Sequence, residues 1–251
     1  MLHLSGLQAF YGKSHVLRGV SLDLAEGEIV ALLGRNGSGR STLAKAIMGM
    51  VSWQGVMRWH GRDLAGLQTF EIARAGIGYV PESRDVFPTL TVEQNLLLGE
   101  KPGGHGRRNV GERAGADAGG QGPRWASSDM YAMFPQLHAR RHVPAGVLSG
   151  GEQQMLTLCR TLMGAPRFVI VDEPTEGLAP MVCAQIARHL SLLKERGLGV
   201  LLIEQKLDMA LDVADRVVLM GQGEVRFDGP PAQFLQRPDL RREWLEVSDS
   251  A

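Results

Sequence analysis

Cysteine is scarce in this sequence, with only Cys159 and Cys183 in 251 residues. Neither belongs to a Cys-x-x-Cys pair, and no histidine spacing completes a zinc set. That excludes a disulfide scaffold and the common structural zinc modules. Both thiols are expected to be reduced and buried. An excess of either charge is also missing: Lys+Arg and Asp+Glu are each 27, for a formal net charge of zero. No global electrostatic argument then favours nucleic acid or anionic lipid, and no nucleic-acid partner is expected. Long apolar runs are absent too. None approaches the ~18–20 residues that span a bilayer. Met1 leads into strand-like sequence and charged turns, so no signal peptide is expected. A membrane role would have to run through a partner.

What is present is ordinary globular composition, 44% hydrophobic and 22% charged, with enough chain for a substantial core. Leu2–Leu4, Gly19–Leu24 and Val56–Trp59 read as short strands bounded by turn residues. Glu28–Leu33, Phe168–Val171, Val200–Ile203 and Val217–Met220 are nearly continuous apolar runs separated by helix-length segments. That pattern predicts buried parallel strands and an α/β domain with an insertion in its middle. Within the insertion, Val92–Leu98 and Ser128–Leu137 read as helical. Lys101–Gly122, dominated by Gly, Arg, Ala and Asn, reads as a mobile loop. Gly221 to Phe227 predicts a hairpin, and Ala232–Val247 an amphipathic helical tail broken near Pro238.

The chemistry starts at Gly34-Arg35-Asn36-Gly37-Ser38-Gly39-Arg40-Ser41-Thr42, which follows an apolar strand and opens a helical stretch. This is the G-x-x-x-x-G-K-[ST] phosphate loop in its strand–loop–helix context, with Arg40 at the lysine position. The glycines let backbone N–H groups form an anion nest, and the helix N-terminus adds its positive end. Arginine keeps the charge but is a longer, planar fork. Ser41 is placed to give its hydroxyl to Mg²⁺. The Phe168–Val171 strand ends in Asp172-Glu173, suited to hold Mg²⁺ and to polarise an attacking water respectively. Alone, such a pair is a weak signal; together with the phosphate loop it is a strong one. Ser149 and Glu152 form a capping box before a helix whose Met155, Cys159, Leu162 and Met163 share a face.

Leu148-Ser149-Gly150-Gly151-Glu152-Gln153 resembles the signature of the ABC ATPase family nearly verbatim, and the resemblance covers essentially the whole chain. It implies an α/β P-loop NTPase fold with a mainly parallel core sheet, an N-terminal antiparallel β subdomain and an α-helical signature subdomain. The chain would be a single ABC ATPase domain, with core and β subdomain at about 1–73 and 160–251 and the helical subdomain at about 82–159. Two such domains pair head to tail in the family. Each ATP lies between one domain's phosphate loop and the Ser149, Gly150 and Gly151 equivalents of the other. Tyr11 looks like the aromatic that stacks on adenine. Glu82 stands at the usual Gln of the Q-loop, a Mg²⁺ contact; Ala179 stands at the usual Asp of the D-loop; Gln205 stands at the usual His of the switch loop.

Pro81-Glu82-x-Arg84, Glu176-Gly177-Leu178-Ala179-Pro180 and Glu204-Gln205 together resemble the LivF-type subfamily of branched-chain amino acid importers, a group that extends to urea and amide uptake. Phe87 to Leu96 fits that group; Arg40 departs from it. The resemblance implies an ATP- and Mg²⁺-dependent ATPase at the cytoplasmic face of the inner membrane. Glu173, Gln205 and Glu82 would be its catalytic residues, and Ser41, Asp172 and Glu82 its metal contacts. Its partners would be a second ABC ATPase subunit (identical or not), membrane permeases and, indirectly, a periplasmic binding protein. A hydrolysis-poor subunit serving a catalytic partner is the alternative that Arg40 raises. A permease-free ABC ATPase is disfavoured by the single phosphate loop and the absence of a heptad run.

Overall fold

The computed structural model describes residues 1–100 and 123–245. The expected loop at 101–122 and the last residues of the tail lie outside the described residues. In chain order, β1 (Leu2–Tyr11) and β2 (Ser14–Leu24) lead to β3 (Ile29–Leu33), the phosphate loop and α1 (Arg40–Ile47). Then come β4 (Ser52–Trp59), β5 (Arg62–Asp63), α2 (Thr69–Arg74) and β6 (Ile77–Val80). Among the described residues there follow α3 (Val92–Gly99), α4 (Ser127–Met133), α5 (Pro135–Ala139), a 3-10 turn at Ala145–Val147 and α6 (Gly150–Met163). The chain returns through β7 (Phe168–Asp172), α7 (Pro180–Glu195), β8 (Gly199–Ile203), α8 (Leu207–Val213), β9 (Arg216–Gly221) and β10 (Glu224–Gly229). It ends in α9 (Pro231–Leu235) and α10 (Pro238–Trp244).

Two sheets result. The first is antiparallel, in the order β2-β1-β4-β5; the second runs β10-β9-β3-β8-β7-β6. In the second, β9, β3, β8, β7 and β6 are parallel and only the β9–β10 hairpin is antiparallel. Every residue of β3, β7 and β8 is buried. Such strands are covered on both faces, which is why they read as apolar runs without alternation. Val30, Leu32, Leu201 and Ile203 pack toward the antiparallel sheet and α1. Ile29, Val200, Leu202, Val169 and Val171 pack toward Leu156, Leu162, Ile186 and Leu190 of α6 and α7. The layout is the expected one, a mostly parallel core with an N-terminal antiparallel sheet and helices.

Several elements depart from the sequence expectation for local reasons. β1 and β2 are longer than Leu2–Leu4 and Gly19–Leu24, because irregular registers at Leu4/Leu7 and Ala9/Phe10 interrupt the alternation that marks a strand. The helix expected over Ser128–Leu137 is two helices. Pro135 lacks the N–H that would continue it, and Phe134 sits at φ −130°, ψ 79°. β6, at Ile77–Val80, is a short strand that is not among the expected ones. Both cysteines are free and buried. Among the described residues no helix is long and apolar enough to cross a membrane.

Candidate functional site

The sheet order gathers the site. β8 lies between β3, which ends at the phosphate loop, and β7, which ends at the acidic pair. Ligands of open α/β sheets bind beyond the carboxyl ends of such strands. Residues 34–42, 172–173 and 204–205 therefore converge although they are far apart in sequence.

Asn36, Gly37, Ser38, Gly39, Arg40, Ser41 and Thr42 line a cavity of about 270 Å³ together with Glu82, Glu173 and Gln205. Gly34 lies beneath it: a Cβ there would sit 2.5 Å from the Met220 carbonyl oxygen and 2.5 Å from Ser38 Oγ. No other residue fits. Ser38 Oγ is buried with no hydrogen-bond partner, and Ser38 lines the cavity. A buried orphan hydroxyl in a glycine-rich loop at a helix N-terminus is what an anion cradle presents before its phosphate arrives. The residues fit ATP phosphates.

Arg40 does not point freely into the cavity. Its guanidinium donates to Glu173 Oε1 at 2.9 Å, to the Glu204 carbonyl at 2.8 Å and to Asn36 Oδ1 at 3.2 Å. The Arg40–Glu173 pair is buried, at 5% and 9% exposure. Burial lowers the Arg40 pKa, opposed first by the Glu173 charge. Burial raises that of Glu173, opposed first by Arg40 and then by the hydrogen bond from Gln205. Lysine has one point donor group where arginine has a fork, so only the arginine side chain spans both acceptors this way. Gln205 Nε2 donates to Glu173 Oε2 at 2.6 Å. Glu173 itself adopts φ +46°, an uncommon conformation for a non-glycine residue, held by its N–H donating to the Ile203 carbonyl at 2.9 Å.

Ser41 Oγ donates to Asp172 Oδ1 at 3.2 Å and Tyr79 Oη to Asp172 Oδ2 at 3.1 Å. Burial raises the Asp172 pKa, and these two hydrogen bonds oppose it. Burial, with Asp172 beside it, raises that of Tyr79. No group of three or more His, Cys, Asp and Glu side chains able to hold a metal occurs among the described residues. Asp172 does not line the phosphate cavity, but Ser41, Asp172 and Glu82 share the adjoining groove, and a hydroxyl with two carboxylates fits Mg²⁺, since that ion takes one or two carboxylates and completes its shell with phosphate and water.

The remaining expected site residues are elsewhere. Tyr11, at the end of β1, is 46% exposed and is not among the residues lining the cavity. Ser149, Gly150 and Gly151 open α6 outside it. Ser149 accepts from Glu152 N–H at 3.4 Å while its own N–H and hydroxyl each donate to Glu152 Oε2 at 2.8 Å, the expected capping box. Arg84 lies across the signature. It donates to the Glu176 carbonyl at 2.5 Å, and its Nη1 is 2.3 Å from where a Gly150 Cβ would be. Sequence reasoning gave no site role to Arg84, Tyr79, Thr175 or Glu204. Glu204 carried a usable signal, being an acid placed directly after an apolar strand.

Fold and cavity together define a P-loop nucleotide-binding domain. Residues 17–176 match the family model described as "ABC transporter", and the chain belongs to that family of transporter ATPases. It is 36% identical to the high-affinity branched-chain amino acid transport ATP-binding protein BraG of Pseudomonas aeruginosa, over 98% of this chain and 99% of that one. It is 30% identical to the lipopolysaccharide export system ATP-binding protein LptB of Escherichia coli, over 97% and 96%. An ATP-binding cassette of an ABC transporter crystallised in its ADP conformation superposes with a TM-score of 0.78 at 25% identity, covering 96% of this chain and 97% of that one. The chain is accordingly an ATP-binding cassette subunit, and its ATP hydrolysis is coupled to transport.

Proposed function

We propose that this chain energises an importer of branched-chain or related amino acids, and that Glu173 is the residue that orients the attacking water. The observation that carries the catalytic assignment is the Glu173 carboxylate on the wall of the phosphate cradle, with Gln205 bonded to one oxygen and Arg40 to the other. Phosphoryl transfer needs in-line positioning and charge stabilisation more than covalent help. ATP phosphates would enter the cradle and compete for Arg40, freeing one Glu173 oxygen to accept a hydrogen bond from water. Gln205 can only hydrogen-bond, so proton acceptance falls to Glu173. Ser41, Asp172 and Glu82 would hold Mg²⁺, which offsets phosphate charge when bound. Tyr11 would stack on adenine.

Ser149, Gly150 and Gly151 would meet the ATP of a second ABC ATPase subunit, identical or different, so a working site takes two subunits. A groove of about 1040 Å³ runs between Lys45, Met50 and Phe70 on the core side and Phe87, Leu98 and Arg160 on the helical side, with Glu82 in its wall. It suits a membrane permease helix, which would hold the chain at the cytoplasmic face and report docking to Glu82. The amino acid cargo rests on relatives named for branched-chain transport at 36% and 32% identity. Cargo itself would be selected by permeases and a binding protein.

The test is ATP turnover by the purified chain, alone and with its permease. Glu173→Gln is expected to lower kcat by about 100-fold or more while nucleotide still binds and traps a dimer. Unchanged turnover in that variant would refute the assignment. The buried Arg40–Glu173 pair favours one second reading, a subunit that binds ATP with little turnover beside a catalytic partner. That reading requires tight binding by wild type with turnover near zero.

A further inference from the structure

Glu204 is 2% exposed and the roles above leave it without a function. Its Oε1 accepts from the Thr175 hydroxyl at 2.5 Å and the Thr175 N–H at 3.3 Å. Its Oε2 accepts from the N–H groups of Gln205 at 3.0 Å and Lys206 at 3.1 Å. Each oxygen accepts two hydrogen bonds. The main chain of the same residue extends the junction. The Glu204 carbonyl accepts from Arg40, and its N–H donates to the Leu32 carbonyl at 3.4 Å. One residue at the end of β8 thus touches the strand before the phosphate loop, the phosphate-loop cation, the loop after the acidic pair and the switch loop.

We propose that Glu204 is a positioning residue for hydrolysis: its buried carboxylate ties the switch loop to Thr175 so that Gln205 meets Glu173. The proposal rests on the hydrolytic reading of Glu173 and Gln205 given above. The chemistry explains why an acid stands there. A buried carboxylate with four donors is stable only if all four are supplied, and two of them are backbone N–H groups of the loop to be fixed. With the backbone at 205–206 pinned, the Gln205 side chain has a fixed origin, from which Nε2 reaches Glu173 Oε2 at 2.6 Å. Lys206 closes the clamp from the other side, Nζ donating to the Thr175 carbonyl at 3.0 Å. Glu204 is not among the residues that line the phosphate cavity and acts through Gln205.

Glu204→Gln isolates the charge. An amide keeps the size, but whichever way it turns, its NH₂ faces donors in place of an acceptor. The experiment is steady-state ATP turnover and nucleotide binding by the full chain for wild type, Glu204→Gln, Gln205→Ala and the double variant, with Tm measured for each. The proposal expects Glu204→Gln to lower kcat by about tenfold with KM for ATP within about threefold. In the Gln205→Ala background the same change should cost no more than about twofold, because its target is already gone. Equal losses in both backgrounds, or unchanged kcat in Glu204→Gln, overturn the proposal. Should Glu204→Gln fail to fold, Thr175→Val removes one donor to the same carboxylate. It should lower kcat about threefold, again only when Gln205 is present; the same loss without Gln205 overturns the clamp. Wild type that binds ATP without turnover overturns the hydrolytic reading itself, and the proposal falls with it.

Discussion

At the cradle, Arg40 and Glu173 are buried and each is bonded to a different loop; at the signature, Ser149 is exposed and its hydroxyl bonds to Glu152 three residues on. Gly34 lies under a main-chain carbonyl, whereas Gly150 lies under the end of the Arg84 side chain. The cradle is finished inside the chain by long-range contacts. The signature is finished only locally and faces outward. Burial strengthens the electrostatic interaction of the pair at the first. An exposed helix start leaves backbone donors at the second for a group from outside the chain.

The same added methyl group should break the two halves to very different extents. Gly34→Ala sets a Cβ 2.5 Å from the Met220 carbonyl oxygen, which cannot yield without moving β9. It is expected to weaken nucleotide binding by about 100-fold or more, read by titration with a fluorescent ATP analogue. Arg40→Lys comes next. Giving up the fork releases Glu173 and the Glu204 carbonyl, and basal turnover is expected to rise by about three- to tenfold with nucleotide affinity nearly kept. A rise from almost nothing would instead support the hydrolysis-poor reading. Gly150→Ala meets only a flexible guanidinium. It should reduce turnover about three- to fivefold and leave nucleotide affinity of the isolated chain unchanged.

The smallest effect is a shift along the pH axis. Burial holds the Glu173 carboxyl above the ordinary glutamate value of 4.5, and Asp172 above the ordinary 3.8. Turnover should lose activity on acidification at a pH above the ordinary carboxylate range, as the water-orienting group protonates. The stability sign is the reverse of the usual acid loss. With folded values raised, the native chain binds these protons more tightly than the unfolded chain. Their contribution is full below the unfolded values and is lost as pH rises through the folded ones. Denaturant unfolding of Glu173→Gln beside wild type across that range reads the difference.

What the sequence made legible is contiguous. The residues of the phosphate loop, the acid-ended strand and the capping box each lie within one short stretch, and the structure brings residues 36–42, Glu173, Gln205 and Glu82 onto one cavity. The four inner apolar runs were legible as parallel strands because burial on both faces leaves an unbroken hydrophobic signal. The first strands were only partly legible because irregular register erases period two, and the break at Pro135 lies in a stretch whose pattern is otherwise helical. What stayed hidden is long-range. Arg40 meets Glu173 across 133 residues and the Glu204 carbonyl across 164. Side chain and main chain at such separations leave no periodicity to read. The consequence of arginine at position 40, a cation bonded to Glu173 in place of a free one, appears only when β3, β8 and β7 stand side by side.

β6 and β7 pair along their lengths, Ile77 with Phe168 and Val80 with Val171. The chain therefore leaves the sheet at Pro81 and comes back at Arg167 to the same place, whatever lies between. Asp172 takes its position from its pairing with Ile203, not from the helices upstream. Length changes between Glu82 and Ser149 therefore leave Asp172 and Glu173 where the sheet puts them. Such a layout separates the part of the chain that can drift from the part that cannot.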